Sequence, residues 1–67
     1  MNNIRIKRFN KNQITQEELA KQVDVSRQTI QAIESGKFNP STKLALLLAK
    51  FFECRVEEIF YLKMEEK

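Results

Sequence analysis

The sequence predicts an all-α fold, and three observations carry that expectation. One Gly and one Pro in 67 residues leave few interruptions, which suits short helices joined by tight turns. Residues 15–37, TQEELAKQVDVSRQTIQAIESGK, read as two short helices on either side of one turn-prone position. Residues 42–52 form the most apolar stretch of the chain at helical spacing. With 42% hydrophobic and 31% charged residues the chain reads as globular, and its length suits one small domain spanning 1–67. A domain of this size buries only roughly 60% of its unfolded surface, so a second copy or a ligand would help to stabilise it. No internal repeat, low-complexity tract or flexible linker interrupts it.

Residues 1–14 are the least defined. Ile6 and Phe9, at i,i+3 spacing, would bury a first helix over 7–11. Ile4 and Ile6 alternate around Arg5, which suits a short strand equally well. At the far end Leu62 and Met64 alternate around Lys63, so the two termini have the pattern of a minor antiparallel β pairing.

The second helix opens at Thr15, with Glu18 three residues on as the partner of a capping box. Leu19, Ala20 and Val23 recur on one face, and Asp24 tolerates the left-handed conformation that a tight turn needs. Ser26 is the second N-cap, Thr29, Ile30 and Ile33 set the inner face of the third helix, and Gly36 ends it. On its other face Arg27, Gln28 and Gln31 present long hydrogen-bonding side chains in the first turns. Arginine suits guanine and glutamine suits adenine through paired hydrogen bonds, and Ala32 on the same side could touch a thymine methyl.

Pro40 suits either the first position of the next helix or the residue before a cap at Ser41 or Thr42, and Leu44, Ala45, Leu47, Leu48, Phe51 and Phe52 make residues 42–52 a central core helix. Glu53 follows, where a positive φ would be strained, which points to a differently built turn. Cys54 reads as a small buried hydrophobe rather than a nucleophile. Arg55 is a poor cap for a fifth helix, which Glu57 and Glu58 support through the helix dipole and Val56, Ile59 and Phe60 line with apolar side chains.

In order and at these spacings, Thr15-Gln16-Glu17-Glu18-Leu19-Ala20, Val25-Ser26-Arg27-Gln28-Thr29-Ile30, Ile33-Glu34-Ser35-Gly36-Lys37 and Asn39-Pro40-Ser41 resemble the motif of the Cro/cI-like (XRE) helix-turn-helix family. The resemblance runs on through LALLLAKFF and VEEIF to about Phe60. It implies a five-helix, lambda-repressor-like domain with its helix-turn-helix at about 15–36. The third helix would enter the major groove of double-stranded DNA and the second would brace the backbone. Carried over position by position, it implies base contacts by Arg27, Gln28, Gln31 and Ala32, and phosphate contacts by Thr15, Gln16, Ser26, Ser35, Lys37 and Asn39. It also implies an arginine of the first helix paired with Glu34. The usual position holds Phe9 here, so Arg8, one residue early, is the partner expected.

A homodimer is expected through residues 53–67, with Phe51, Ile59, Phe60 and Leu62 at the interface, because Ile59-Phe60-Tyr61-Leu62 is a continuous apolar run. The function that follows is sequence-specific transcriptional regulation, repression above all, at a palindromic operator. Charge agrees: residues 1–43 carry eight Lys and Arg against four Asp and Glu, and residues 44–67 carry four against five. A rival reading is an antitoxin or protein-interaction adaptor whose partner docks on Phe51 and Phe52 or on 56–64. Zero His, one Cys and no Gly-rich phosphate loop argue against an enzyme, a metal site or a cofactor. No signal-peptide core is apparent, and the apolar run Leu44–Ala49 is too short for a bilayer, so a cytoplasmic protein of bacterial or phage type, without a membrane partner, is expected.

Overall fold

Each helix begins and ends where side chains or neighbouring backbone supply the hydrogen bonds that a helix terminus lacks. The computed structural model describes residues 2–61. Within them α1 (Ile4–Asn10), α2 (Gln16–Gln22), α3 (Arg27–Glu34) and α4 (Thr42–Phe52) follow one another, and a 3-10 turn occupies Val56–Glu58. Thr15 Oγ1 accepts from the Glu18 N–H at 3.0 Å while Glu18 Oε1 accepts from the Thr15 N–H at 2.8 Å, which is the expected capping box. Ser26 caps α3 by accepting from the Thr29 N–H, and Ser41 caps α4 by accepting from the Leu44 N–H.

Three helices end in the same way. A left-handed residue follows each of α2, α3 and α4: Asp24 at φ 61°, Gly36 at 82° and Glu53 at 56°. The next amide then reaches back to an alanine carbonyl, Val25 to Ala20, Lys37 to Ala32 and Cys54 to Ala49, each at 3.0 Å. Val25 and Cys54 pack against the core from these positions, so Cys54 is half-buried rather than fully enclosed. The turn after α4 is therefore built in the ordinary left-handed way, and Glu53 bears the strain.

The core draws side chains from all four helices and from the residue after the 3-10 turn: Ile4, Leu19, Ile30, Ile33, Leu48 and Ile59 are fully buried, with Ala20, Val23, Leu44 and Ala49 around them. Burial of one large aliphatic side chain contributes about 1.5–3 kcal/mol. The first helix departs from expectation. It starts at Ile4, which is fully buried, and leaves Ile6 60% and Phe9 65% exposed. Its phase is set from outside: the Asn3 N–H donates to the Ile59 carbonyl at 2.8 Å, and Asn2 Nδ2 donates to the Ile33 carbonyl at 2.8 Å. That start points positions 4, 7, 8 and 11 inward. Ile4 aside, this inward face is cationic, and each cation has a partner: Lys7 with Glu58, Arg8 with Glu34, and Lys11 over the Phe51 ring.

Because Ile4–Ile6 is helical, it is no strand. A single antiparallel bridge does join Asn2 and Phe60. The expected partner strand at Leu62–Met64 lies outside the described residues. The fifth helix is reduced to the 3-10 turn, since the Arg55 side chain does not cap it and Phe60 is already held by the bridge. Among the described residues no helix is long and apolar enough to cross a membrane.

The strained turn yields a stability test. Glu53→Gly should raise the stability by about 0.5–1 kcal/mol, seen as a melting temperature a few degrees higher, because glycine removes the left-handed penalty. Gly36→Ala should lower it by about 1 kcal/mol for the opposite reason, since the added methyl meets nothing within 4 Å and only the backbone objects. Thermal melts of both variants check the pair.

Candidate nucleic-acid interface

One side-chain network joins α1, α2 and α3 beside the apolar core. Arg8 Nε donates to Glu34 Oε2 at 2.6 Å and Nη2 donates to Oε1 at 3.1 Å, a paired geometry that fixes both groups. Arg8 Nη1 also donates to the Ile14 carbonyl at 2.9 Å, ahead of α2. Gln16, the first residue of α2, donates from Nε2 to Glu34 Oε1 at 3.1 Å. The two charged side chains are only 16% and 10% exposed, so the pair works where screening by water is weak. The Arg8–Glu34 pairing is as expected, with the one-residue shift in place. Asn12 and Gln13, both at positive φ, make the turn that follows α1.

Between α2 and α3 the chain turns at Asp24 and enters the Ser26 cap, so Ile30 and Ile33 face the core and Arg27, Gln28 and Gln31 face outward, exposed. Ala32 is half-buried on the same helix, and its carbonyl anchors the turn at Lys37. Arg27 and Lys37 make no ion pair among the described residues. Lys37, Phe38 and Asn39 are exposed on the exit loop, with Phe38 an aromatic surface that the sequence pattern does not single out.

The remaining polar residues differ in what they have left to give. Thr15 Oγ1 accepts from the Glu18 amide, which leaves its own proton free. Ser35 Oγ donates to the Ala32 carbonyl at 3.0 Å, so its proton is already used within the helix. Ser26 Oγ shares a 3.0 Å hydrogen bond with Thr29 Oγ1. Gln16 has one amide N–H committed to Glu34 and one remaining. Thr15, Gln16 and Arg27 meet around an open polar cleft of about 450 Å³, with Arg8, Gln13, Ile14 and Glu17 as its other walls. Glu17 is the one acidic group of this cleft, and it would oppose an anion there.

A second concavity lies elsewhere. Pro40, Ala45, Leu46, Val56 and Phe60, with polar residues 39, 41 and 42, line an apolar cleft of about 350 Å³ between the exit loop, α4 and the 3-10 turn. Leu46 is 57% exposed there, and the sequence pattern missed it because α4 is apolar on more than one face. Of the residues expected at a dimer interface, Phe60 is half-buried at this cleft. Phe51 is half-buried at the other end of α4, stacked edge-on with Phe52 and covered by Lys11. Ile59 is fully buried in the core, so its side chain is used within one chain and does not belong to an outer surface. Leu62 lies outside the described residues.

Comparison with known proteins places this arrangement in context. A helix-turn-helix family model matches residues 4–59. An uncharacterised HTH-type transcriptional regulator of Methanocaldococcus jannaschii is 57% identical over 53 residues, covering 79% of this chain and 80% of that protein. One from Archaeoglobus fulgidus is 52% identical over 63 residues, covering 92% and 89%. One from Bacillus subtilis is 45% identical over 51 residues, covering 76% and 77%.

Removing one member of the buried pair should be costly, since the other is left charged and poorly hydrated. Glu34→Ala should lower the unfolding free energy by about 3 kcal/mol, and Arg8→Ala combined with it should cost clearly less than the sum of the two single changes. Urea titration of the four proteins measures this; additive losses would mean that the pair contributes no coupling.

Proposed function

This chain belongs to the helix-turn-helix family, and from that premise we propose that it binds double-stranded DNA sequence-specifically as a homodimer and regulates transcription, with repression as its direct consequence. The observation that carries the reading is the outer face of α3. Arg27, Gln28 and Gln31 are exposed, inner-face Ile30 and Ile33 are locked in the core, and none of the three outer residues is acidic. An α-helix fits the major groove, where arginine and glutamine can pair with guanine and adenine edges.

Around that face, backbone contacts would fix the register. Lys37 and Asn39 on the exit loop, and Thr15 and Gln16 at the start of α2, are the groups with free donors. Ser26 contributes next to them, whereas Ser35 would first have to release the Ala32 carbonyl. Ala32, half-buried, is limited to an apolar contact with a base. No chemistry is required: a bound dimer covering a promoter would exclude the polymerase. The relatives that match this chain over most of their length carry names of transcriptional regulators, which supports the same reading.

The dimer surface that fits best is the apolar cleft of Pro40, Leu46, Val56 and Phe60. It retains Phe60 from the expected set and supplies, in Leu46, the large exposed side chain that an interface would bury. Twofold pairing would set two α3 helices one turn of DNA apart, roughly 34 Å.

Arg27→Ala and Gln28→Ala should each lose about 1–3 kcal/mol at one base pair and relax the preference there. Lys37→Ala should weaken all sequences alike and make the salt dependence shallower by about one unit of slope. Titrations on an operator and on mismatched duplexes across a salt series separate the two behaviours. Unchanged affinity and preference in both α3 variants would exclude this face from base readout. Leu46→Asp, at an exposed site, should give a folded monomer with weakened operator binding; a monomeric parent protein on DNA, by sedimentation, would remove the dimer.

A further inference from the structure

Glu34 sits on α3 at the border between the core face and the reading face, only 10% exposed, and one of its hydrogen bonds goes to a residue of that interface. Glu34 Oε1 accepts from both Arg8 Nη2 and Gln16 Nε2, at 3.1 Å each. A carboxylate only accepts, so it settles the orientation of the Gln16 amide: nitrogen inward, with one N–H used and the second left over. Arg8 neutralises the carboxylate in the same stroke, through two hydrogen bonds. Without that cation a negative charge would stand one side chain behind any phosphate that Gln16 meets. Gln16 itself lines the polar cleft that it shares with Thr15 and Arg27.

We propose that Glu34 is a positioning residue for DNA-backbone binding: held and neutralised by Arg8, it locks the Gln16 amide so that its second N–H meets a phosphate at the Arg27 side of the cleft. The assignment rests on the reading of Gln16 as a backbone contact. It goes beyond the structural role of an Arg8–Glu34 pair, because it makes the pair part of the binding surface. The orientation is settled before DNA arrives, so the ordering entropy of a long side chain is not lost at binding. Gln28 and Gln31, exposed on α3, have no such tether among the hydrogen bonds of the described residues.

Two measurements test it. The first uses the unmodified chain without DNA: nuclear magnetic relaxation of side-chain NH₂ groups should find Gln16 rigid and Gln28 and Gln31 mobile. A Gln16 amide as mobile as the other two would overturn the proposal, whatever the chain does with DNA. The second is a cycle of Gln16→Ala, Glu34→Gln and the double variant on a duplex operator, at a temperature where circular dichroism shows all of them folded. Each single change should weaken binding by about fivefold, and the double variant no further, since Glu34 acts through Gln16. A Glu34→Gln loss that persists in full on the Gln16→Ala background would make Glu34 a purely structural residue and contradict the positioning role. If Glu34→Gln does not fold, the relaxation measurement decides alone. A chain with a rigid Gln16 but no affinity for any duplex would contradict the DNA-binding reading instead, so the two failures are distinguishable.

Discussion

The Arg8–Glu34 pair is the contact on which the arrangement of the helices depends. It joins the inward face of α1 to the end of α3, and through the Ile14 carbonyl and the Gln16 amide it also holds the start of α2. Three helices of seven, seven and eight residues are far too short to be stable alone. Their mutual geometry must come from tertiary contacts, and the apolar core is non-directional. The paired guanidinium–carboxylate geometry adds direction: together with the Asn2 and Asn3 hydrogen bonds that set the phase of α1, it holds the offset of α2 against α3. A reading face is useful only if that offset is constant, because base contacts are separated by fixed steps along DNA.

Sequence pattern succeeds where the determinants of structure are local and fails where they are distant. The stretch from Thr15 to Gly36 was legible almost residue by residue, since caps, apolar spacing and turn residues all agree there: Thr15 and Ser26 cap, Asp24 and Gly36 turn, and Leu19, Ile30 and Ile33 are buried. The first helix was legible as a helix, but its start and its inner face were not. Its inner face is Ile4 with Lys7, Arg8 and Lys11, so a search for apolar periodicity selects Ile6 and Phe9, which turn out to be exposed. What fixes its phase are hydrogen bonds from Asn2 and Asn3 to residues more than thirty and fifty positions away, and no local window contains such partners. Residue 59 shows the converse error. An apolar run near the chain end suggested a surface for a partner, but Ile59 completes the core of its own chain.

Of the candidate interface, the outward placement of Arg27, Gln28 and Gln31 was legible and the donor balance of the flanking polar residues was not. That Ser35 has already used its proton, and that Gln16 retains one of two, are facts of side-chain geometry. The apolar cleft likewise escaped notice, since it is assembled from Pro40, Leu46, Val56 and Phe60 on separate elements. Both features refine the proposed division of labour along the surface, in which α3 would meet bases, the α2 start and exit loop the backbone, and the apolar cleft a second copy.

If a rigidly held α3 reads DNA in duplicate, selection of bound duplexes from a random pool by the full chain should enrich an inverted repeat whose half-sites are centred about 10 base pairs apart. Guanine and adenine should be among the bases specified in each half-site, as Arg27 and the glutamines require. A pool that returns unenriched after repeated rounds, or a single unrepeated site, would contradict that reading.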